Sequence, residues 1–398
     1  MKKPGCWMLL CGTALIMGCA LPLGEDFEIG GYARTGGVSK VAAGFTGGGD
    51  NSVLSIMAKN KKETSTVEIT MAGSGTPEEL TRSVNFVYEP DLDDLNAGAN
   101  YSPRKVLIDG GGGTLQATNV ISSSPLITVG GGVELTLQNI TFQGSDYRFA
   151  PLVDVAAGGK LILDSGAVIR ENLNYEDFSA GGVMVAGTLV MTGTATINGN
   201  TAPGNHSGGG VYVAPGGNFT LIRGTIAENF LRLGQGIHSA GGVYVASGGK
   251  FAMEGGSITE NKPYFSSYGY TGFGGSAGVF AAGEFAMKGG EITKNIGGGF
   301  SGGVWVESGS SPNDGFTMSG GTITENTSEK FSGGVWIEKG RFTMRGGKIS
   351  GNKPTVTYNH ESRNVHNSGG IFNWETGDSE AIEGEAGVDY SKPDNRKP

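Results

Sequence analysis

A segment of about twenty residues that recurs with its glycines in place restricts this chain to very few folds. The clearest copy runs from Gly241 to Asn261 and reads Gly-Gly-Val-Tyr-Val-Ala-Ser-Gly-Gly-Lys-Phe-Ala-Met-Glu-Gly-Gly-Ser-Ile-Thr-Glu-Asn. Val243-Tyr-Val245 and Phe251-Ala-Met253 alternate with the period of two that a strand needs, and Ser257-Ile-Thr259 is a shorter third run. Glycine pairs stand at the joints, where a chain turns sharply and often needs φ > 0. Three strands this short bury no face by themselves, so the unit is stable only against copies of itself. Copies follow at Gly181–Asn200, Gly209–Asn229, Ala277–Asn295, Gly302–Asn326 and Gly333–Asn352, with a half-copy from Gly369 and less regular ones around Ile127 and Leu152. A propeller blade needs four strands and about 40 residues, so three strands per short unit predict a parallel β-helix. The expectation is an all-β solenoid of about ten three-stranded coils, on the order of 50 Å long at ~4.8 Å per coil.

Aligned copies give columns. One interior column holds Leu161, Leu189, Phe219, Phe251, Phe285, Phe316 and Phe342, and a second holds Leu163, Met191, Leu221, Met253, Met287, Met318 and Met344. A third runs Ile197, Ile226, Ile258, Ile292, Ile323 and Ile349. These read as core. The column Asn172, Asn200, Asn229, Asn261, Asn295, Asn326, Asn352 falls at a corner, where side-chain amides bond along the stack, and reads as structural.

The chain has 74 glycines in 398 residues, a net charge of -9 and 17% charged residues. The acidic balance argues against nucleic acid, whose binding rests on Lys and Arg at phosphates. Residues 1–18 have the pattern of an export signal, with Lys2 and Lys3 ahead of the apolar Leu9 to Met17. The run Leu15-Ile-Met-Gly-Cys19 resembles a bacterial lipoprotein signal, with Cys19 as the lipidated residue and an ordinary secretory signal as the alternative. Residues 19–65 read as a Gly-rich tether, 66–374 as the solenoid and 375–398 as a polar tail. Val67 to Met71 and Val84 to Tyr88 look like the first rungs, and Thr76-Pro-Glu-Glu-Leu80 has a helix start that could cap the open end.

Two features are not needed by the fold. In Val-Tyr-Val the valines face inward, so the middle residue faces out, and that column holds Met184, Tyr212, Tyr244, Phe280, Trp305, Trp336 and Phe372. Either this ladder is an exposed contact surface or the loops fold over it and bury it. The second feature is the variable length between each Asn and the next Gly-Gly. All those loops leave one corner and so line one edge, which is often the binding edge of a solenoid. Loop 262–276 carries Tyr264, Phe265, Tyr268, Tyr270 and Phe273. The four histidines, His206, His238, His360 and His366, also fall in loops, without a metal-binding spacing; no metal and no cofactor are expected.

The Gly-Gly-Val-aromatic-Val … Phe-x-Met-x-Gly-Gly-x-Ile-x-x-Asn units resemble those of Gly-rich repeat lipoproteins of spirochaetes and, more distantly, passenger domains of chlamydial polymorphic membrane proteins. That resemblance spans roughly residues 104–374. It implies a right-handed, pectate-lyase-like β-helix displayed at the cell surface in adhesion, with no catalytic residues to carry over. The chain ends in the polar stretch Tyr390 to Pro398, so display is expected to depend on lipid at Cys19. The sequence reading is thus a non-catalytic binding module, lipid-anchored in the outer membrane, that contacts a host glycan or extracellular matrix protein. Its expected contacts are Tyr212, Tyr244, Phe280, Trp305, Trp336, Phe372, Tyr264, Tyr268 and Tyr270. The rivals are a structural spacer and a polysaccharide lyase or hydrolase. For the enzyme the candidate acids are Glu307 and Glu338, each two residues past a Trp of the ladder and expected one coil apart.

Overall fold

The computed structural model describes residues 104–117 and 123–354, apart from 203, 233–236, 265–273, 308–310 and 330, together with a set of short strands outside that range. The fold is an all-β parallel solenoid, with no helix among the described residues. Each copy of the repeat makes one coil and contributes one strand to each of three parallel sheets. In the first sheet Val183–Val185, Val211–Val213, Val243–Val245, Val279–Ala281, Val304–Glu307 and Val335–Lys339 follow one another in register. The second stacks Lys160–Leu163 through Phe342–Met344. The third stacks Val168–Arg170 through Lys348–Ser350. In the early coils Arg104–Ala117 and Val133–Gln143 each run through the corner between the second and third sheets as one bent strand.

Like residues sit on like, as the columns require. Phe219, Phe251, Phe285, Phe316 and Phe342 stack face to face with ring centroids 4.5–4.9 Å apart, and every residue of the interior columns is buried. The Asn column forms a continuous hydrogen-bonded ladder. Asn200 Nδ2 donates to Asn229 Oδ1 at 3.1 Å, and the same bond repeats from Asn229 to Asn261, Asn295, Asn326 and Asn352 at 2.9–3.0 Å. Each of these oxygens also accepts the backbone N–H of the Asn one coil earlier. The residue before each Asn is left-handed. Glu171, Glu228, Glu260, Lys294 and Glu325 have φ of 53–57°, and glycine takes the same place at Gly199 and Gly351.

The glycine pairs have two different roles. Gly256 sits at φ 74°, the positive φ expected of a corner. Gly242, ahead of the first strand, is instead glycine because of close approach: a Cβ there would lie 2.5 Å from the carbonyl oxygen of Gly278 one coil on. Backbone contact between coils, rather than turning, sets that residue.

Strands at Val67–Thr70 and Val84–Phe86 join the stack where the first rungs were expected. Of the helix start expected at Thr76 to Leu80, Thr76 and Pro77 lie outside the described residues. Glu78–Leu80 is a strand, paired parallel with Leu115 to Ala117, because an exposed edge of the third sheet supplies backbone partners that outweigh local capping signals. Strands also occur in the segments read as tether and tail, at Val38–Ala42 and at Asp378–Glu380 and Val388–Asp389.

Candidate functional site

The outward column of the first sheet is a ladder, but a covered one. Tyr212 and Tyr244 stack at 5.1 Å, Tyr244 and Phe280 at 4.8 Å, and Phe280 meets the edge of Trp305 at 4.9 Å. Tyr212, Tyr244, Phe280, Trp305 and Trp336 are all buried, Trp305 completely. They pack as a second apolar cluster with Ala180, Ala214, Ala240 and Ala246, outside the central core. The expectation of an exposed aromatic surface is therefore corrected for these five residues, and the covered alternative holds. Rings of this size leave water too readily to stay bare when a loop is at hand. Of the other expected contacts, Phe372 is described as backbone only, paired with Trp336, and Tyr264 as backbone in Lys262–Tyr264. Tyr268, Tyr270 and Cys19 lie outside the described residues.

The cover is a second row of rings that the sequence reading missed. Phe178, His206, His238, Phe300 and Phe331 each stand directly before a serine, just ahead of the glycines of the next coil. Phe300 lies 4.4 Å from Trp305, Phe331 4.7 Å from Trp336, and His238 5.2 Å from Trp305. Phe178 stacks on His206 at 5.0 Å. The serines run beneath as a column, with Ser179 N–H donating to Ser207 Oγ and Ser207 N–H to Ser239 Oγ, both at 3.3 Å. The signal was present as a ring-Ser-small-Gly pattern, hidden because histidine takes the ring's place twice.

Those two histidines give the row its chemistry. His206 Nδ1 is 3.0 Å from the Tyr244 hydroxyl, and His238 Nδ1 is 2.5 Å from Glu307 Oε2. The two imidazoles lie 5.4 Å apart. Glu338 stands beside Glu307 on the next coil; a bulge shifts the register there, so that Glu307 pairs with Lys339. Burial raises the Glu338 carboxyl above its ordinary range and the Glu307 charge raises it further, while His238 and the Trp305 indole oppose them. Glu338 Oε2 is buried and completes no hydrogen bond within the chain. The bond to Glu307 raises the His238 imidazole despite its partial burial; His206 is lowered by desolvation and then by His238. The structure thus brings together Glu307 and Glu338, as their spacing past the Trp residues implied, and adds His238. Among the described residues no group of His, Cys, Asp and Glu has the arrangement of a metal site.

The loop edge also carries exposed rings, among them Phe178 at the outer end of the covering row. Tyr147 (69% exposed), Phe149 (51%), Tyr175 (38%) and Phe178 (58%) project from two neighbouring coils. Phe149 and Tyr175 are 5.8 Å apart, and the backbones under them are joined by Tyr175 N–H donating to Arg148 O at 3.0 Å. Beneath this ledge Arg148 is fully buried and donates to Ser124 O at 2.6 Å, and desolvation lowers its guanidinium to about 10. Next to Tyr147 opens a groove of about 740 Å³, lined by Gln116, Gln143, Ser145, Asp146, Glu171 and Asn172 among others. Comparison with family models, with curated proteins and with solved structures finds no match to the chain.

Proposed function

We propose that the chain is a non-catalytic binding module of the bacterial cell envelope, anchored by lipid at Cys19 in the outer membrane and displayed outward to contact a host glycan or matrix protein. Its winding is read as right-handed, in keeping with the resemblance of its repeats. The observation that carries this reading is the exposed ledge of Tyr147, Phe149, Tyr175 and Phe178 on the loop edge. Exposed rings lower stability unless something else selects them, and a group of them on one edge is the usual mark of a contact surface. The contact surface is moved from the buried ladder to these loops. The test is a glycan and matrix-protein array probed with the full chain and with a variant carrying Phe149→Ser, Tyr175→Ser and Phe178→Ser. Binding that falls tenfold or more in the variant, at an unchanged thermal midpoint, supports the reading. A full chain that binds nothing on the array, or a variant that binds as well as the parent, removes it.

One observation favours a second reading, a glycan-hydrolysing enzyme. A half-buried carboxyl with a raised pKa, Glu338, stands beside a carboxylate, Glu307, that is held by an imidazole, and groups of this kind serve acid–base chemistry. Release of reducing ends from a polysaccharide panel, abolished by Glu338→Gln, would establish it. No release from any polymer leaves the cluster as packing between cover and ladder.

A further inference from the structure

We infer that the groove beside Tyr147 is a saccharide subsite that accepts neutral and amino-bearing sugars and rejects acidic ones; this rests on reading the chain as a binding module. The groove lies where the Asn ladder ends. From Asn200 to Asn352 every side-chain oxygen accepts from the preceding coil. The Asn before Asn200 is Asn172, and in the coil before that a glycine, Gly144, occupies the place against it: a Cβ on Gly144 would lie 2.5 Å from the Asn172 Cα. The Asn172 amide instead donates to Ala150 O and Gly181 O, at 3.0 and 2.7 Å. Its Oδ1 is buried and has no partner, although Asn172 is only 1% exposed. The ladder's first oxygen, Asn200 Oδ1, is closed by the Asn172 N–H, and Asn172 Oδ1 packs against Gly144 as a buried acceptor in the groove wall. Ser145 lines the same groove, and its Oγ is likewise buried without a partner.

The rest of the lining has the same sign. Asp146 and Glu171 are its charged members. Gln143 is held along the wall, donating to Glu171 Oε2 at 2.9 Å and accepting from Arg170 Nη2 at 3.0 Å. Arg170 is thereby committed to Gln143 and to Glu171, 3.8 Å away. A ligand here meets acceptors, two carboxylates and the exposed ring of Tyr147. Sugar rings offer an apolar face and a rim of hydroxyl donors, and an amino group adds a charge that Asp146 and Glu171 attract. A ligand carboxylate or sulfate would be repelled by about fivefold in affinity for each close acidic neighbour.

Titration calorimetry of the full chain with a glucosamine oligomer, an N-acetylglucosamine oligomer and heparin tests this. Both hexosamine oligomers should bind and heparin should not. Tyr147→Ala should weaken both oligomers about tenfold, whereas Glu171→Gln should weaken the amino form at least fivefold more than the acetylated one. Heparin binding more tightly than either oligomer, no oligomer binding, or variants that both keep parental affinity would overturn the inference. The two proposals separate cleanly. The variant of Phe149, Tyr175 and Phe178 should keep oligomer binding. An array ligand that binds the chain while the oligomers do not would sink the groove and leave the contact ledge standing. Oligomer binding with a blank host array would do the reverse.

Discussion

Glu260 illustrates how much one backbone position decides in this solenoid. Its φ of 57° lies in the left-handed region, shared by the residue before nearly every Asn of the ladder. An L residue there loses roughly 1–2 kcal/mol, and glycine loses roughly 0.5–1 kcal/mol more chain entropy on folding than other residues. Glu260→Gly should therefore stabilise by about 0.5–1 kcal/mol; a lower denaturation midpoint in the variant would contradict the assignment. His238 makes a different kind of prediction, one in pH. Its imidazole is raised by Glu307, so its contribution is complete below the ordinary histidine value and fades as pH rises through the higher folded one. The stability gap between the parent and His238→Gln should be larger near pH 6 than near about pH 9. Both side chains are about 30% exposed, and solvent screening keeps the effect small. A gap that widens toward alkaline pH would reject the pairing.

At the scale of the element, the two ring rows change what the Trp residues do. If Trp305 and Trp336 were a bare contact surface, truncating one would leave the thermal midpoint alone. Trp336 is 1% exposed and packed by Phe331 and Phe300, so Trp336→Ala should cost about 3–5 kcal/mol. An unchanged midpoint would restore the exposed reading. What could be read in advance follows from this difference. Columns that meet their own kind, such as Phe251 on Phe285 or Asn261 on Asn295, were legible because strand period and repeat length fix both partners. The ladder's direction was legible for the same reason, since Tyr244 must point opposite to Val243 and Val245. Its cover was not, because Phe300 and Phe331 share a place with His206 and His238, whose links from the preceding Asn differ in length, and alternation gives direction but not what lies beyond. Glu307 and Glu338 were found through their place past each Trp. His238 was missed because the coil it reaches, 69 residues on, is two above its own.

Among the described residues the coils contact chiefly their neighbours, and a few side-chain bonds span two coils. His238 to Glu307 is one, and another is Asp314, buried in the extra segment after Glu307, whose Oδ2 accepts from Ser247 Oγ at 2.8 Å. Both bridge the coil of Phe280, which also carries the long loop 262–276. Stability in such a stack is a sum of units and shared interfaces, so damage stays local. Phe285→Ala should remove about 3–5 kcal/mol and lower amide protection in the coils of Phe251, Phe285 and Phe316 before those of Leu161 and Leu189. Uniform loss of protection along the rod would show instead that it unfolds as one body. The even spacing of the Asn ladder has a last consequence. Since each rung from Asn229 to Asn352 offers its successor the same amide, the same bare glycine and the same ring, duplicating one of these units within the gene would lengthen the protein without any new interface to solve. The loops at either side would simply move apart by ~4.8 Å, so selection could adjust the distance between two recognition loops in fixed steps, as notches on a ruler.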